Sequence, residues 1–257
     1  AAQNSAFARA CLRARAALAR RAKLAVFPNA ARARDFQIDF PSARTAVVWN
    51  CASVREVGSQ HGPTDAPFTF YYHGTLVPER LPVTVLHALR ELPAARLRIG
   101  GYETIGSVDF TAALLGAANE LGLADRIDLL GIASTRADLL SQMNGGHAGI
   151  SLVPSAAADP NLQQMAGASN KPFDYLARGL ALLITDRAEW TEIFGAYGSA
   201  CVPEDATSIA RAMHALAHDR ERTARIAREG QLRVAHDWNY EAQFAAVEAE
   251  CDQLLLA

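Results

Sequence analysis

The sequence predicts an α/β fold, a parallel sheet covered by helices on both faces, and three observations predict it. From Phe68 onward, short apolar runs rich in β-branched and aromatic residues alternate with stretches of helical period. Small or turn-forming residues close most of these runs, where a strand must give way to a helix. Of the 257 residues, 50% are hydrophobic and 20% charged, enough for a sizeable core and too apolar for a disordered chain. Alternation of this kind joins parallel strands by crossovers.

The chain opens differently. Between Ala1 and Arg34 there is no Asp or Glu, while Arg9, Arg13, Arg15, Arg20, Arg21, Lys23, Arg32 and Arg34 are basic. Phe7, Cys11, Ala14, Leu18 and Ala22 recur at helical spacing with Arg9, Arg13 and Arg20 opposite, an amphipathic helix of about five turns. Three uses compete for it. It packs as a surface helix on the rest of the protein, which is the expectation here; it rests a basic face on anionic lipid; or it is an organellar presequence, against which scarce Ser counts.

Lys23 to Phe27 and Ala46 to Asn50 then read as two strands, with Pro28, Asn29 and Pro41 as turn residues between them. Cys51 to Pro67 lacks apolar periodicity and has the composition of a linker. The regular part follows. Strands are expected at Phe68 to His73, Arg96 to Gly100, Arg126 to Leu130, Gly149 to Val153, Ala181 to Thr185 and Ala200 to Val202. Helices are expected at Glu79 to Glu91, Phe110 to Leu121, Arg136 to Met143, Lys171 to Arg178 and Glu189 to Phe194. From Asp205 the chain forms two or three helices, broken at Gly230 and at Asp237-Trp238-Asn239.

Several function classes are disfavoured. A net charge of −2 does not suit nucleic-acid binding through bulk charge. No apolar run reaches the 18 or so residues of a membrane span, and the start has no secretory pattern. Cys11, Cys51, Cys201 and Cys251 form no CxxC pair, so neither a zinc nor a disulfide framework follows, and a reducing cytoplasmic setting fits. GxxxxGK[ST] and GxGxxG are absent, which argues against a nucleoside triphosphatase and a nicotinamide dehydrogenase.

Ligands of parallel sheets bind beyond the carboxyl ends of the strands. Four of those ends carry Gly74-Thr75, Gly100-Gly101, Gly131 and Pro154-Ser155. The most informative run is SNKPFDYLARGLALLITD, from Ser169 to Asp186. Ser169 or Asn170 can cap a helix with Pro172 in its first turn. Free amides at Ser169, Asn170 and Lys171, with the Lys171 charge, form a site for diphosphate. Asp174, an acceptor-only side chain, suits two ribose hydroxyls.

This run resembles the donor-binding segment of retaining glycosyltransferases of family 4, where the pattern is NK-x-F-E-Y-M-A-x-G-x-P-V-I. The resemblance extends over most of the chain from Ser42 to the end, through HGTLVPER, LRIGG, IDLLG, ISLVPS and the terminal Trp238. It implies the GT-B architecture of two facing Rossmann-like domains. Residues 66–238 would be the donor-binding domain, 1–65 part of the acceptor-side domain with its linker, and 239–257 a carboxyl-terminal helix.

The resemblance further implies that Asp174 takes the place of the second glutamate of E-x7-E and binds the ribose. Arg80 replaces the lysine that neutralises the donor diphosphate. Ser169, Asn170 and Lys171 hold sugar and phosphates, and Gly131-Ile132 lies near the base. Gly74, Thr75 and Gly100 line the strand ends, and Arg80 and Lys171 act on the leaving group. The first glutamate falls at Ala166, with Asp159 and Gln164 as substitutes in the same loop, and Thr75 replaces an arginine.

The implied activity is transfer from a nucleoside-diphosphate sugar, UDP or GDP, to a saccharide or lipid-linked acceptor, with retention and without an obligatory metal or other cofactor. The alternative is a noncatalytic nucleotide-binding module, with a nicotinamide oxidoreductase third. His214 and His218 at i, i+4 lack a third metal ligand and suit a solvent face. His73 points to the site by position, or is a partly buried histidine bonded to backbone. Tyr71, Tyr72, Trp190 and Trp238 suit the core or a domain seam.

Overall fold

The computed structural model describes residues 5–58 and 66–256. It begins with α1 (Ala6–Arg21), β1 (Ala25–Phe27), α2 (Ala30–Asp39) and β2 (Thr45–Val47), with β1 and β2 paired in parallel. The sequence reading missed α2. Asn29, expected in a turn, is its N-cap and accepts from the Arg32 amide, while only Ala33 and Phe36 are buried, too few to mark a helical period.

The main body runs β3 (Phe68–Thr75), α3 (Thr84–Arg90), β4 (Ala95–Tyr102), α4 (Phe110–Glu120), β5 (Ile127–Gly131), α5 (Arg136–Gln142) and β6 (Ala148–Ser151). It continues through α6 (Pro160–Gln163), α7 (Lys171–Ala177), β7 (Ala181–Thr185), α8 (Ala188–Phe194) and β8 (Gly198–Cys201). All six strands of this sheet are parallel, in the order β5-β4-β3-β6-β7-β8. The order reverses beside β3, the topological switch point of a doubly wound sheet. Helix α3 starts later than the expected Glu79 because the residue before Pro82 resists the helical region.

One face of the sheet packs Phe70, Tyr72, Leu97, Ile150 and Leu183 against Leu86, Leu114 and Met213. The other packs Tyr71, Leu182 and Ile184 against Met143, Tyr175, Trp190 and Trp238. Tyr71 and Tyr72 thus serve opposite cores, as the period of two along a strand requires. Helices α9 (Ala206–His218), α10 (Arg220–His236) and α11 (Tyr240–Leu256) complete the chain. Gly230 lies inside α10 instead of breaking it, and a Cβ there would come within 2.5 Å of Leu176. The break falls at Asp219, whose side chain caps α10.

The expected packing of α1 is not found. Phe7 is 79% and Leu18 69% exposed, and no residue of the helix is buried. Its contact with α2 runs through Arg15, which pairs with Asp39 at 2.9 Å and lies over the Phe36 and Phe40 rings. The described part of the linker segment holds a turn: Ser53 and Glu56 close a capping box around a single 3-10 turn, and Glu241 binds Ser53 and Val54 from α11. Residues 59–65 of that linker lie outside the described residues. No described helix is long and apolar enough to cross a membrane, and all four cysteines are free.

Candidate donor-binding site

The carboxyl ends of β3, β4 and β5 open onto a cleft of about 490 Å³. Its walls include Gly74 and Thr75 at the end of β3, Arg80 from the turn that follows, Ile132 to Arg136 after β5, and Asn170 and Lys171 at the start of α7. Gly100 is buried below this lining, and its missing side chain makes room for Gln142, which would stand 2.5 Å from a Cβ. Gly131 precedes the lining residues and Ser169 is buried beside them.

Lys171 dominates the cleft electrostatically. It is 6% exposed and crosses above Gly74, with Nζ 3.2 Å from the point where a Cβ would stand. Its ammonium faces the Tyr72 ring at 5.2 Å and has no hydrogen-bond or ion-pair partner among the described residues. Burial, then the neighbouring Arg80 charge, lowers its pKa to about 7. An unpartnered buried cation is costly, and an anion in the cleft would relieve that cost.

The segment that delivers Lys171 is held from outside the main sheet. Asn29 donates to the carbonyls of Gln164 and Ala166, and Asn50 bonds the carbonyls of Gly167 and Ala168. Trp49 packs against Phe173 and Trp238. Two local expectations fail here. The Ser169 amide is already bonded to the Met165 carbonyl, and neither Ser169 nor Asn170 caps α7 through its side chain. Asn170 instead donates to Asp174 Oδ2 at 3.2 Å, because a buried carboxylate one turn ahead is the stronger acceptor.

Asp174 has no exposed surface, so it does not line the cleft. Arg136 reaches both of its oxygens, Nη1 to Oδ2 at 2.8 Å and Nη2 to Oδ1 at 2.5 Å. The same guanidinium binds Glu56 through Nε at 2.8 Å and Nη2 at 3.0 Å. Burial pushes the Asp174 carboxyl up, the two bonds from Arg136 oppose that shift, and those bonds raise the arginine further. The bidentate geometry is that of an ion pair, with Asp174 ionised while paired.

His73 lines the cleft and is 3% exposed, its Nε2 lying 3.5 Å from Asp174 Oδ2 without a hydrogen bond. Burial, then the Lys171 and Arg136 charges, lowers its pKa to about 3 and keeps it neutral. Its backbone amide donates to the Tyr175 hydroxyl. The suggested substitutes for the absent glutamate point elsewhere: Asp159 caps α6 and Gln164 binds Asp35. Ala166 itself is buried.

Sequence reasoning placed Arg136 at a helix start and gave it no role. The signal available was a cation opening a helix just past a strand end, between Thr135 and Asp138, which do form a capping box. Its partners could not be found that way, because Glu56 and Asp174 are distant in sequence. His214 and His218 stack on one another at 5.3 Å on α9. Among the described residues no group of three or more His, Cys, Asp or Glu could hold a metal ion.

Comparison with known proteins bears on this cleft. A family model described as glycosyl transferase-like matches residues 82–249. No curated protein sequence matches the chain. Among solved structures, Anabaena HepE in complex with UDP and glucose aligns with TM-score 0.68 at 17% identity, over 94% of this chain and 66% of that one. Sucrose-phosphate synthase of Thermosynechococcus elongatus aligns with TM-score 0.66 at 17% identity, over 91% of this chain and 58% of that one. The carboxyl-terminal domain of the Francisella tularensis group 1 glycosyl transferase LpcC aligns with TM-score 0.58 at 16% identity, over 73% of this chain and 98% of that one. These likenesses establish the GT-B-type fold, and the chain spans less than two thirds of HepE and of the synthase.

Proposed function

Because the chain belongs to the glycosyl transferase-like family, we propose that its cleft binds a nucleoside-diphosphate sugar and that the protein transfers the sugar with retention, as family 4 enzymes do. The observation that carries this reading is Lys171, a buried ammonium with no hydrogen-bond or ion-pair partner among the described residues, beside Arg80 at the strand ends. Two cations so placed stabilise the charge that gathers on a diphosphate as the glycosidic bond breaks, and no obligatory metal is needed. HepE binds UDP and UDP-glucose in its crystals, which supports UDP as the first nucleotide to test, with GDP next.

The acceptor is read as a saccharide, free or lipid-linked. The exposed apolar stripe and basic residues of α1 support a peripheral contact with anionic lipid, at the cytoplasmic face of a membrane. A noncatalytic nucleotide-binding module is the second reading, favoured by the buried Ala166 where the first glutamate would stand.

Calorimetry with UDP, GDP and ADP and their sugar conjugates, without magnesium, tests the site. Binding of at least one is expected, and a folded sample that binds none ends both readings. Release of sugar from the bound conjugate separates enzyme from binding module.

A further inference from the structure

The inference rests on the nucleotide-sugar reading and concerns which side chain meets the nucleoside. The family pattern gives that task to the carboxylate at Asp174, yet Asp174 has no exposed surface and both its oxygens are bonded to Arg136. What lines the cleft in its place is Arg136, whose side chain is 38% exposed. It is gripped from two sides, by Asp174 at the base of the wall and by Glu56 from the capped turn that precedes the main sheet.

Charge decides what such a group can recognise. One guanidinium set between two carboxylates leaves the trio with a net negative charge, so it has no pull on a diphosphate. Arg80 and Lys171, which form no ion pair with a carboxylate, occupy that role across the cleft. Arg136 donates one hydrogen from Nε, two from Nη2 and one from Nη1 to the two carboxylates. The second Nη1 hydrogen has no protein acceptor among the described residues, and a neutral oxygen suits it.

We propose that Arg136 is the nucleoside-contacting residue of this site, donating to a neutral oxygen of the nucleoside, and that Asp174 and Glu56 are positioning residues acting through it. The aspartate, shorter than the glutamate of the family pattern, is then an anchor for the arginine and not a ligand for ribose. The turn carrying Glu56 becomes part of the donor site.

The test measures affinity for whichever of UDP, GDP and ADP the parent binds best, with inorganic pyrophosphate as the comparison ligand. Arg136→Met should weaken the nucleotide about tenfold or more while pyrophosphate stays within about twofold. Glu56→Gln should give the same pattern with a smaller loss. Asp174→Asn should cost about as much as Arg136→Met in the parent and nothing further in the Arg136→Met background, since it acts through the arginine.

Removing Arg136 alone strands a buried carboxylate and risks unfolding. The Arg136→Met/Asp174→Asn pair removes both charges together, and melting curves confirm which variants remain folded. The proposal is overturned if folded variants bind nucleotide as the parent does, if pyrophosphate weakens equally, or if Asp174→Asn keeps its full cost without Arg136. A parent that binds pyrophosphate and no nucleotide overturns the nucleotide-sugar reading, and the role of Arg136 with it.

Discussion

Two regions of the chain use positive charge in opposite ways. Helix α1 holds Arg9, Arg13, Arg15, Arg20 and Arg21 on a body none of whose residues is buried. Among the described residues the cleft holds two cations without an ion-pair partner, Arg80 and Lys171, beside an Arg136 offset by two carboxylates, and Lys171 is almost wholly enclosed. A pair of unit charges at 4 Å interacts by roughly 1 kcal/mol in water and about 4 kcal/mol at the effective dielectric of a protein surface. Placement therefore outweighs number: the abundant charge of α1 is screened by salt, and the enclosed charge of Lys171 is screened much less.

The largest expected effect tests that contrast directly. Lys171→Met should weaken nucleoside diphosphate binding about 100-fold and Arg80→Ala about tenfold, as a lost charge-assisted bond implies. Neither thermal midpoint should fall, and that of Lys171→Met should rise, because a buried cation with no hydrogen-bond or ion-pair partner among the described residues is removed. Calorimetry and melting curves on the same samples measure both. Unchanged affinity in Lys171→Met would erase the distinction between the two regions.

An intermediate effect is the dependence on pH. The folded-state pKa of Lys171, about 7, lies below the ordinary lysine value of 10.5. Diphosphate affinity should therefore fall as pH rises above about 7, by at most tenfold per unit, and binding near pH 8 should take up protons, measured by calorimetry in buffers of different ionisation heat. In the absence of ligand the sign reverses. The unfolded chain holds the proton that the folded chain releases, so stability rises from about pH 7 to 10.5, by at most about 1.4 kcal/mol per unit. Lys171→Met should abolish both slopes. His73 acts in a separate window, between about 3 and 6.5, where stability falls with falling pH as the unfolded histidine takes up a proton.

The smallest effect concerns α1. Replacing Arg9, Arg13 and Arg20 together by Gln should leave nucleotide affinity within about twofold. Vesicles containing anionic lipid should retain the parent at low salt and release it as the Debye length falls to about 10 Å. The triple variant should not be retained. Equal retention of both proteins would detach the basic face from lipid.

Sequence legibility followed the same divide between local and distant causes. Strands β3, β6 and β7 were legible because buried parallel strands are continuous runs of apolar and small residues, and Lys171 because Pro172 and Gly179 bracket its helix. Helix α2 was not, since its fixed points are Asn29 and two buried side chains against a short sheet. Gly230 misled because its tolerance inside α10 depends on Leu176 and Tyr197, which approach from other elements. Within the site, Gly74 and Thr75 were legible as a strand end, Asn170 and Lys171 as a helix start, and Arg80 and Ile132 through the family resemblance, and all six line the cleft. The bond between Arg136 and Asp174 was invisible, because nothing local in either segment marks the other as its partner.

The asparagines that hold the segment before Lys171 bear on how the molecule can be dissected. A composition-based cut near the start of β3 would sever Asn29, Trp49 and Asn50 from the carbonyls of Gln164, Ala166, Gly167 and Ala168 and from the rings of Phe173 and Trp238. The excised sheet would keep its core but lose the outer guy-ropes that set the height of the lysine. A working recombinant unit, or a chimaera exchanging amino-terminal portions, therefore has to be cut upstream of Asn29. The part that looks like a leader to the donor fold is also its scaffolding.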